Sequence, residues 1–152
     1  VAALHELVRT RRLVRRKGRA LLLTKRGRDV MVSDEALAAE VASSILGEGF
    51  EAAATELFLA SMLAELHRSA RDRANEVAVA LTEEGWSVRG EPTGSPVPLD
   101  IVERQFTRVW RDCLLFGWAA QGQPDHADLT PEGRLAARVA LRSVGSAPRT
   151  SN

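Results

Sequence analysis

Residues 13–31 read "LVRRKGRALLLTKRGRDVM", and this stretch decides the fold at the N-terminal end of the chain. Two short runs of apolar and basic residues are joined at Lys17-Gly18, where glycine can adopt a positive φ, so the pattern predicts a β-hairpin. Thr24 follows as a candidate N-cap, because its hydroxyl can accept hydrogen bonds from the free amides of a first helical turn. A short helix is therefore predicted over residues 25–32, although the glycine inside it lowers its helix propensity.

Most of the positive charge of the chain surrounds this predicted hairpin. Up to Arg28 there are ten lysines and arginines against the single acid Glu6, about +9, whereas from Asp29 onward eleven bases face nineteen acids, about −8, for a net charge of +1. Such a patch attracts nucleic acid through phosphate neutralisation, or it pairs with an acidic surface of a partner or of the same chain. Arginine suits bidentate phosphate contacts, but its excess also reflects a chain rich in alanine and arginine throughout.

Helical periodicity accounts for most of the remaining sequence. A helix is predicted over residues 1 to about 10, and Ser33 is predicted to cap a second one that ends at Gly47 or Gly49. Trp86 is predicted to begin a short extended piece. Further helices are predicted over 50–69, 70–85 and 99–116. The helix that follows Ser33 has a predicted apolar face, which consists of Leu37, Val41, Ile45 and Leu46.

The C-terminal third repeats the organisation of the N-terminal end. Residues 118–120 and 127–129 are predicted to pair across a polar turn, and Thr130, followed by a proline and an acid, is a strong helix start. The hexamers "LTKRGR" at 23–28 and "LTPEGR" at 129–134 share four identities. Each hexamer belongs to a segment with the same predicted order of elements: helix, extended piece, turn, extended piece and helix. The apolar residues of the final helix are Leu135, Val139 and Leu141.

At these two hexamers the chain resembles the winged helix-turn-helix group, particularly the multiple-antibiotic-resistance-regulator and phenolic-acid-regulator types. In that group a Leu-Thr pair ends the second wing strand and caps the next helix. The resemblance covers about residues 1–32 and 99–142. It implies a mainly α fold with two small β-hairpins, arranged as winged-helix-like elements at both ends of a helical core, and it implies binding of duplex DNA.

If the chain binds DNA, the basic N-terminal copy is the one suited to the backbone. The helix that carries His5 and Glu6 would approach the major groove, and the hairpin would lie along the adjacent backbone or minor groove. Such contacts set affinity more than sequence choice, and the helix is poor in side chains that read bases. The predicted DNA-binding residues are Arg9, Arg11, Arg12, Arg15, Arg16, Lys17, Arg19, Lys25, Arg26 and Arg28.

Two features depart from the winged-helix pattern and keep other functions open. A full winged helix has two helices before its recognition helix, and the first copy has none within this chain. The second wing, "QGQPDHAD" at 121–128, is acidic, so it would repel phosphate and fits a structural or protein-contact role better. The alternatives are a domain that binds an acidic protein, or a structural domain whose basic hairpin only keeps an exposed strand edge solvated.

The domain organisation follows from length and composition. At 152 residues the chain is predicted to form a single compact domain over 1–145, with a basic helix-hairpin-helix at 1–32, a helical core at 33–90, a second helix-hairpin-helix at 99–145 and a disordered tail at 146–152. A weaker resemblance, carried by "ALTEEGWSVRGEP" and "LTPEGRLAARVAL", is to uncharacterised C-terminal extensions of plasmid-borne open-reading-frame proteins of high-GC bacteria. It implies a domain of unknown function within a larger polypeptide.

Other function classes find little support in the sequence. There is no glycine-rich phosphate loop, nucleophile elbow or His-Glu-x-x-His helix, so a non-enzymatic binding domain without a cofactor is predicted. The histidines His5, His67 and His126 have no metal-ligand spacing, and the lone Cys113 excludes a disulfide framework and indicates core packing in a reducing cytoplasm. No apolar run approaches the ~20 residues of a transmembrane helix, so no membrane partner is expected.

Overall fold

The computed structural model describes residues 8, 9, 11–64, 68–88, 92, 94–120 and 128–145, and within them one two-stranded hairpin is followed by six helices. The chain is therefore mainly α with a small β-hairpin, as the sequence predicts. The strands are β1 (Val14–Lys17) and β2 (Ala20–Leu23), and the helices are α1 (Lys25–Val30), α2 (Asp34–Leu46), α3 (Gly49–Leu63), α4 (Ala70–Glu83), α5 (Leu99–Leu115) and α6 (Pro131–Gly145).

The hairpin lies where the glycine predicts it. Val14 pairs with Leu23 and Lys17 pairs with Ala20 in antiparallel register. Gly18 has a φ of 62°, and a positive φ at the first turn residue is what a type II′ hairpin requires. All four residues of β2 are exposed, although α1 contacts this strand. Of the helix predicted before it, only residues 8 and 9 are described, and both are helical.

Side-chain caps set the N-terminal ends of four of the six described helices. The Ser33 hydroxyl accepts a hydrogen bond from the amide of Ala36 at 3.1 Å, as predicted, and α2 ends before Gly47. The prediction of a helix from 50 to 69 is wrong at its C-terminal end, because α3 stops at Leu63 and the Ser69 hydroxyl instead caps α4. A serine at the end of a predicted helix is better placed as the N-cap of the next one.

The main core lies among α2 to α6. Phe58 of α3 and Phe106 of α5 are buried at its centre, with ring centroids 5.0 Å apart, and α4 adds Val77 and Leu81. The inner face of α5 is buried at Val102, Phe106, Val109 and Trp110. The buried cluster runs from Val41 to Ala140 and does not include the hairpin or α1.

Two expectations about apolar faces need correction. The leucine of the final helix, Leu135, is 64% exposed, and α6 packs against α2 through Ala136, Ala137 and Ala140 instead. Small residues allow the two helix backbones to approach closely, whereas periodicity weighs large apolar residues more heavily. Leu37, at the first turn of α2, is also partly exposed.

Two of the predicted extended pieces have little strand character. Residues 86–88 form no strand, and the Trp86 ring instead packs edge-on against Phe50 with centroids 6.0 Å apart. The second hairpin is represented by a single antiparallel bridge between Ala119 and Leu129. The intervening wing at 121–127 and the predicted tail at 146–152 lie outside the described residues.

A buried arginine connects α3 to α4. Arg73 is only 2% exposed, and its guanidinium donates hydrogen bonds to the carbonyl and the hydroxyl of Ser61 at 2.6 and 2.9 Å. Desolvation lowers the pKa of Arg73 from its ordinary value, and the Asp128 carboxylate opposes that shift. Because a buried guanidinium must keep its hydrogen-bond partners, Arg73 ties the two helices in one relative position.

Candidate nucleic-acid interface

The basic hairpin is held by a network that begins before β1 and ends in α1. The amide of Leu13 donates to the carbonyl of Val8, and the amide of Thr24 donates to the carbonyl of Leu13, both at 2.9 Å. The Thr24 hydroxyl donates to the Arg12 carbonyl at 2.7 Å and accepts from the Gly27 amide at 3.0 Å. Residues 8–31, which contain this network, are called the first motif.

The second motif, residues 113–137, contains the same network. The amide of Trp118 donates to the carbonyl of Cys113 at 2.7 Å, and the amide of Thr130 donates to the carbonyl of Trp118 at 2.9 Å. The Thr130 hydroxyl donates to the Gly117 carbonyl at 3.0 Å and accepts from the Gly133 amide at 3.1 Å. The sequence repeat therefore corresponds to a repeat of local structure.

The last two residues of each hexamer have equivalent roles. A Cβ atom on Gly27 would lie 2.0 Å from the carbonyl oxygen of Leu13, and one on Gly133 would lie 1.9 Å from that of Trp118. Only glycine permits such an approach of two backbones. The glycine is therefore a requirement of the motif, whereas sequence propensity alone marks Gly27 as a weak point of the helix. The closing arginines, Arg28 and Arg134, each donate to the carbonyl of the hexamer's leucine at 3.3 Å.

One position differs between the motifs in a way that affects stability. Arg12 has a φ of 54°, and the equivalent residue of the second motif is Gly117 with a φ of 69°. A left-handed conformation costs an L-residue about 1 kcal/mol, and glycine has no such cost. We expect Arg12→Gly to raise the free energy of unfolding by up to about 1 kcal/mol and Gly117→Ala to lower it by a similar amount. Urea denaturation followed by circular dichroism measures both, and changes of the same sign in the two variants would contradict the equivalence.

Four of the predicted DNA-binding residues lie together at the free end of the hairpin. Arg15, Arg16 and Lys17 are exposed on β1, and Arg19 is exposed in the turn. Among the described residues none of the four forms an ion pair. The Arg16 guanidinium donates one hydrogen bond to the carbonyl of Gly18 at 2.9 Å, which orients it along the turn. These four cations are called the hairpin quartet.

Two other predicted residues are bound to an acid of α2. The guanidinium of Arg26 donates to both carboxylate oxygens of Glu40 at 2.8 and 3.0 Å, and Arg11 approaches the same carboxylate at 3.9 Å. Glu40 therefore neutralises part of the basic patch and joins the first motif to α2. It lies 14 residues from Arg26, and no local pattern in the sequence indicates the pairing.

The remaining predicted residues flank the hairpin. Lys25 and Arg28 are exposed at the start of α1, and Arg9 and Arg12 are exposed just before β1. The structure thus brings eight of the ten predicted cations to one end of the molecule without a carboxylate partner in the described part of the chain. His5 and Glu6, predicted to approach the major groove, lie outside the described residues.

Apolar side chains share this end of the molecule, and the charge pattern alone does not indicate their exposure. Leu21 is 60% exposed and Leu23 is 43% exposed, both on β2, and Met31 after α1 is 62% exposed. The register places each cation of β1 opposite an apolar residue of β2, such as Arg15 opposite Leu22. The hairpin therefore has a basic strand and an apolar strand rather than a basic face and an apolar face.

The described residues provide no metal-binding cluster and no helix that could span a membrane. Within the described part of the chain, no three histidine, cysteine or acidic side chains lie close enough together to hold a metal ion. The three histidines considered as ligands are outside that part. Among the described helices, none has both the length and the apolar content that crossing a bilayer requires.

Comparison of the chain with family models, with curated proteins and with solved structures found no match. The winged-helix resemblance therefore stays a prediction that rests on the two motifs.

Proposed function

We propose that the chain is a non-enzymatic domain that binds duplex DNA through the basic hairpin. The observation that carries this proposal is the hairpin quartet: four cations within five residues, exposed, and without ion pairs among the described residues. Phosphate contacts by arginine and lysine supply most of the affinity of sequence-independent DNA binding. The resemblance of both motifs to winged-helix wings supports the same function.

The side chains of the hairpin quartet point in directions that suit a groove of DNA rather than a flat surface. Successive side chains of a strand point to opposite faces, so Arg15 and Lys17 lie on one face of β1 and Arg16 lies on the other. A hairpin with cations on both faces can contact the phosphates of the two strands that border a groove. A two-stranded ribbon fits the major groove of B-DNA, which is about 12 Å wide. In this arrangement the protein contacts phosphates with little readout of bases.

The DNA proposal predicts a strong dependence of affinity on salt. Four phosphate contacts give a slope of log K against log salt of about −3.6, so a fourfold rise in salt weakens binding about 100-fold. Fluorescence anisotropy of a labelled duplex, titrated with the protein at several salt concentrations, measures this slope. Changing the quartet to glutamine, R15Q/R16Q/K17Q/R19Q, should remove about 3.6 from the magnitude of the slope and weaken binding strongly.

A matched variant separates a local contact from the effect of net charge. R71Q/R104Q/R111Q/R138Q removes the same charge from exposed positions on α4, α5 and α6 and should leave the slope nearly unchanged. No binding of the unmodified chain at low salt would contradict the proposal. Equal weakening by the two quadruple variants would show that only net charge matters, and unchanged binding by the quartet variant would make the hairpin a solvated edge.

A further inference from the structure

An apolar face that is buried in the second motif is open in the first. Leu129 and Ala137 of the second motif are 4% and 0% exposed, because they belong to the main core in which α2 packs along α6. The equivalent residues of the first motif, Leu23 and Met31, are 43% and 62% exposed. The same local structure therefore has a helical cover at one end of the molecule, whereas at the other end the described residues provide no such cover.

The exposed residues form one continuous surface. Leu21 and Leu23 are two residues apart on β2 and so share a face of the hairpin. A Cβ atom on Gly27 would lie 3.2 Å from the Leu23 side chain, and Met31 follows Gly27 by one helical turn on the same side. Leu21, Leu23 and Met31 are called the open face. Lys25 is two residues beyond Leu23 in the chain, and the Arg28 guanidinium reaches the Leu23 carbonyl, so this apolar surface has a cationic rim.

The outer surface of α4 is acidic with one exposed apolar residue, and so it complements the open face with its cationic rim. Asp72, Glu76, Val79 and Glu83 follow each other at intervals of four, three and four residues, so they lie on one side of the helix, and all four are exposed. Val79 is 57% exposed between the acids. A shallow groove of about 320 Å³ lies beside it, lined also by Asn75 and Ala80. Glu76, Val79 and Glu83 are called the acidic stripe.

We propose that the open face of one copy of this chain binds the acidic stripe of a second copy. The equivalent face of the second motif is covered by a helical core, which indicates a helical occupant, and the cationic rim requires that occupant to be acidic. The acidic stripe meets both conditions, because it lies on a helix and has an exposed valine between its two acids. Glu76 also pairs with Arg68 of its own chain, which leaves Glu83 as the more available acid. Complementary charges set partner choice and register at such a contact.

This self-association goes beyond the proposed DNA binding and depends on the acidic stripe, which the DNA proposal does not use. Its rim consists of Lys25 and Arg28, whereas the hairpin quartet lies nearer the tip of the hairpin. E76K/E83K changes only the acidic stripe and none of the predicted DNA-binding cations, so it tests the second copy, whereas substitutions in the quartet test the DNA. Loss of DNA binding with retained self-association, or the reverse, shows which of the two proposals has failed.

Sedimentation velocity over a range of protein and salt concentrations tests the association. The unmodified chain should associate reversibly, and more weakly as salt rises. K25E/R28E and E76K/E83K should each weaken the association about tenfold or more, because each places like charges against each other. A one-to-one mixture of these two variants should recover it, since their altered surfaces are again complementary. Met31→Lys should also weaken it, by placing a charge in the apolar contact.

The controls use exposed acids outside the stripe. E48K/E103K changes the net charge by the same amount on α5 and before α3 and should leave the association unchanged. Circular dichroism of every variant confirms that the helices are intact, and recovery in the mixture shows that both variants are folded. A chain that stays monomeric at every concentration would overturn the proposal. So would association that E76K/E83K leaves unaffected, or a mixture that does not recover.

Discussion

Gly133→Ala is expected to destabilise the protein by about 3 kcal/mol, because its new methyl group would lie 1.9 Å from the carbonyl oxygen of Trp118. Backbone movement cannot relieve the clash easily, since the Trp118 carbonyl accepts a hydrogen bond from Thr130 and the Trp118 side chain is buried in the core. The gain in helix propensity from glycine to alanine, about 1 kcal/mol, is smaller than this cost. A loss of this size corresponds to a fall in Tm of about 6–12 °C.

The equivalent substitution in the first motif should have a different outcome. Gly27→Ala creates the same clash, 2.0 Å from the carbonyl oxygen of Leu13, but Leu13 and Val30 are buried outside the main cluster. The first motif can therefore open locally while the core stays folded. We expect hydrogen exchange of the hairpin amides to accelerate strongly in this variant, while the Tm of the core changes little.

Calorimetry and hydrogen exchange of both variants test the contrast. Arg138→Ala, at an exposed position of α6, serves as the control and should change the free energy of unfolding by no more than about 0.5 kcal/mol. Equal losses of Tm in Gly133→Ala and Gly27→Ala would show that the two motifs are parts of one cooperative unit. A Gly133→Ala variant as stable as the unmodified protein would contradict the close approach of the backbones.

Stability is expected to fall steeply above pH 9, because of Cys113. Burial raises the pKa of the Cys113 thiol to about 12 from its ordinary 9.0, and the neighbouring Asp112 carboxylate acts in the same direction. Below pH 9 the Cys113 thiol is protonated in both the folded and the unfolded chain, so it does not change the free energy of unfolding with pH. Above it the unfolded chain loses the proton that the folded chain keeps, so the free energy of unfolding falls by about 1.4 kcal/mol per pH unit, up to about 4 kcal/mol near pH 12.

Urea denaturation between pH 8 and pH 11 measures this slope. The chain contains no tyrosine, whose phenol would otherwise contribute in the same range, so Cys113 dominates the expected change. Cys113→Ala should cost stability at neutral pH through the cavity it leaves, but should remove most of the slope. An unchanged slope in that variant would contradict the assignment. As an independent check, a thiol reagent should modify the native protein only as fast as it unfolds.

Much of the fold follows from local signals. Ser33 and Thr130 cap the helices that the sequence predicts, and Gly18 forms the predicted turn, because caps and turns depend on residues within a few positions of each other. The repeated hexamer was also visible as a repeat. The physical reason for the repeated glycine is not visible in the sequence. Each glycine is required because its backbone lies against a carbonyl group 14 or 15 residues earlier in the chain.

The structure places eight of the ten predicted cations at one end of the molecule without a carboxylate partner among the described residues, and it pairs the other two with Glu40. The sequence predicts all ten cations as DNA-binding residues, but the pairing of Arg26 with Glu40 depends on how α1 packs against α2. The exposure of Leu23 and Met31 was likewise not visible, since an apolar residue in a hairpin or helix is ordinarily predicted to be buried. Burial depends on what the rest of the chain places over a surface, and periodicity does not contain that information.

The sequence by itself determined the helical class, the basic hairpin and the existence of two equivalent motifs, because these arise from periodicity, turn chemistry and capping within short segments. The tertiary structure alone decided that the second motif is built into the core and that the first is open, with Glu40 holding part of its charge. The two motifs have nearly the same local sequence signals. The packing of α6 against α2 and α3 buries the second motif, because long-range contacts decide which of two similar surfaces is covered.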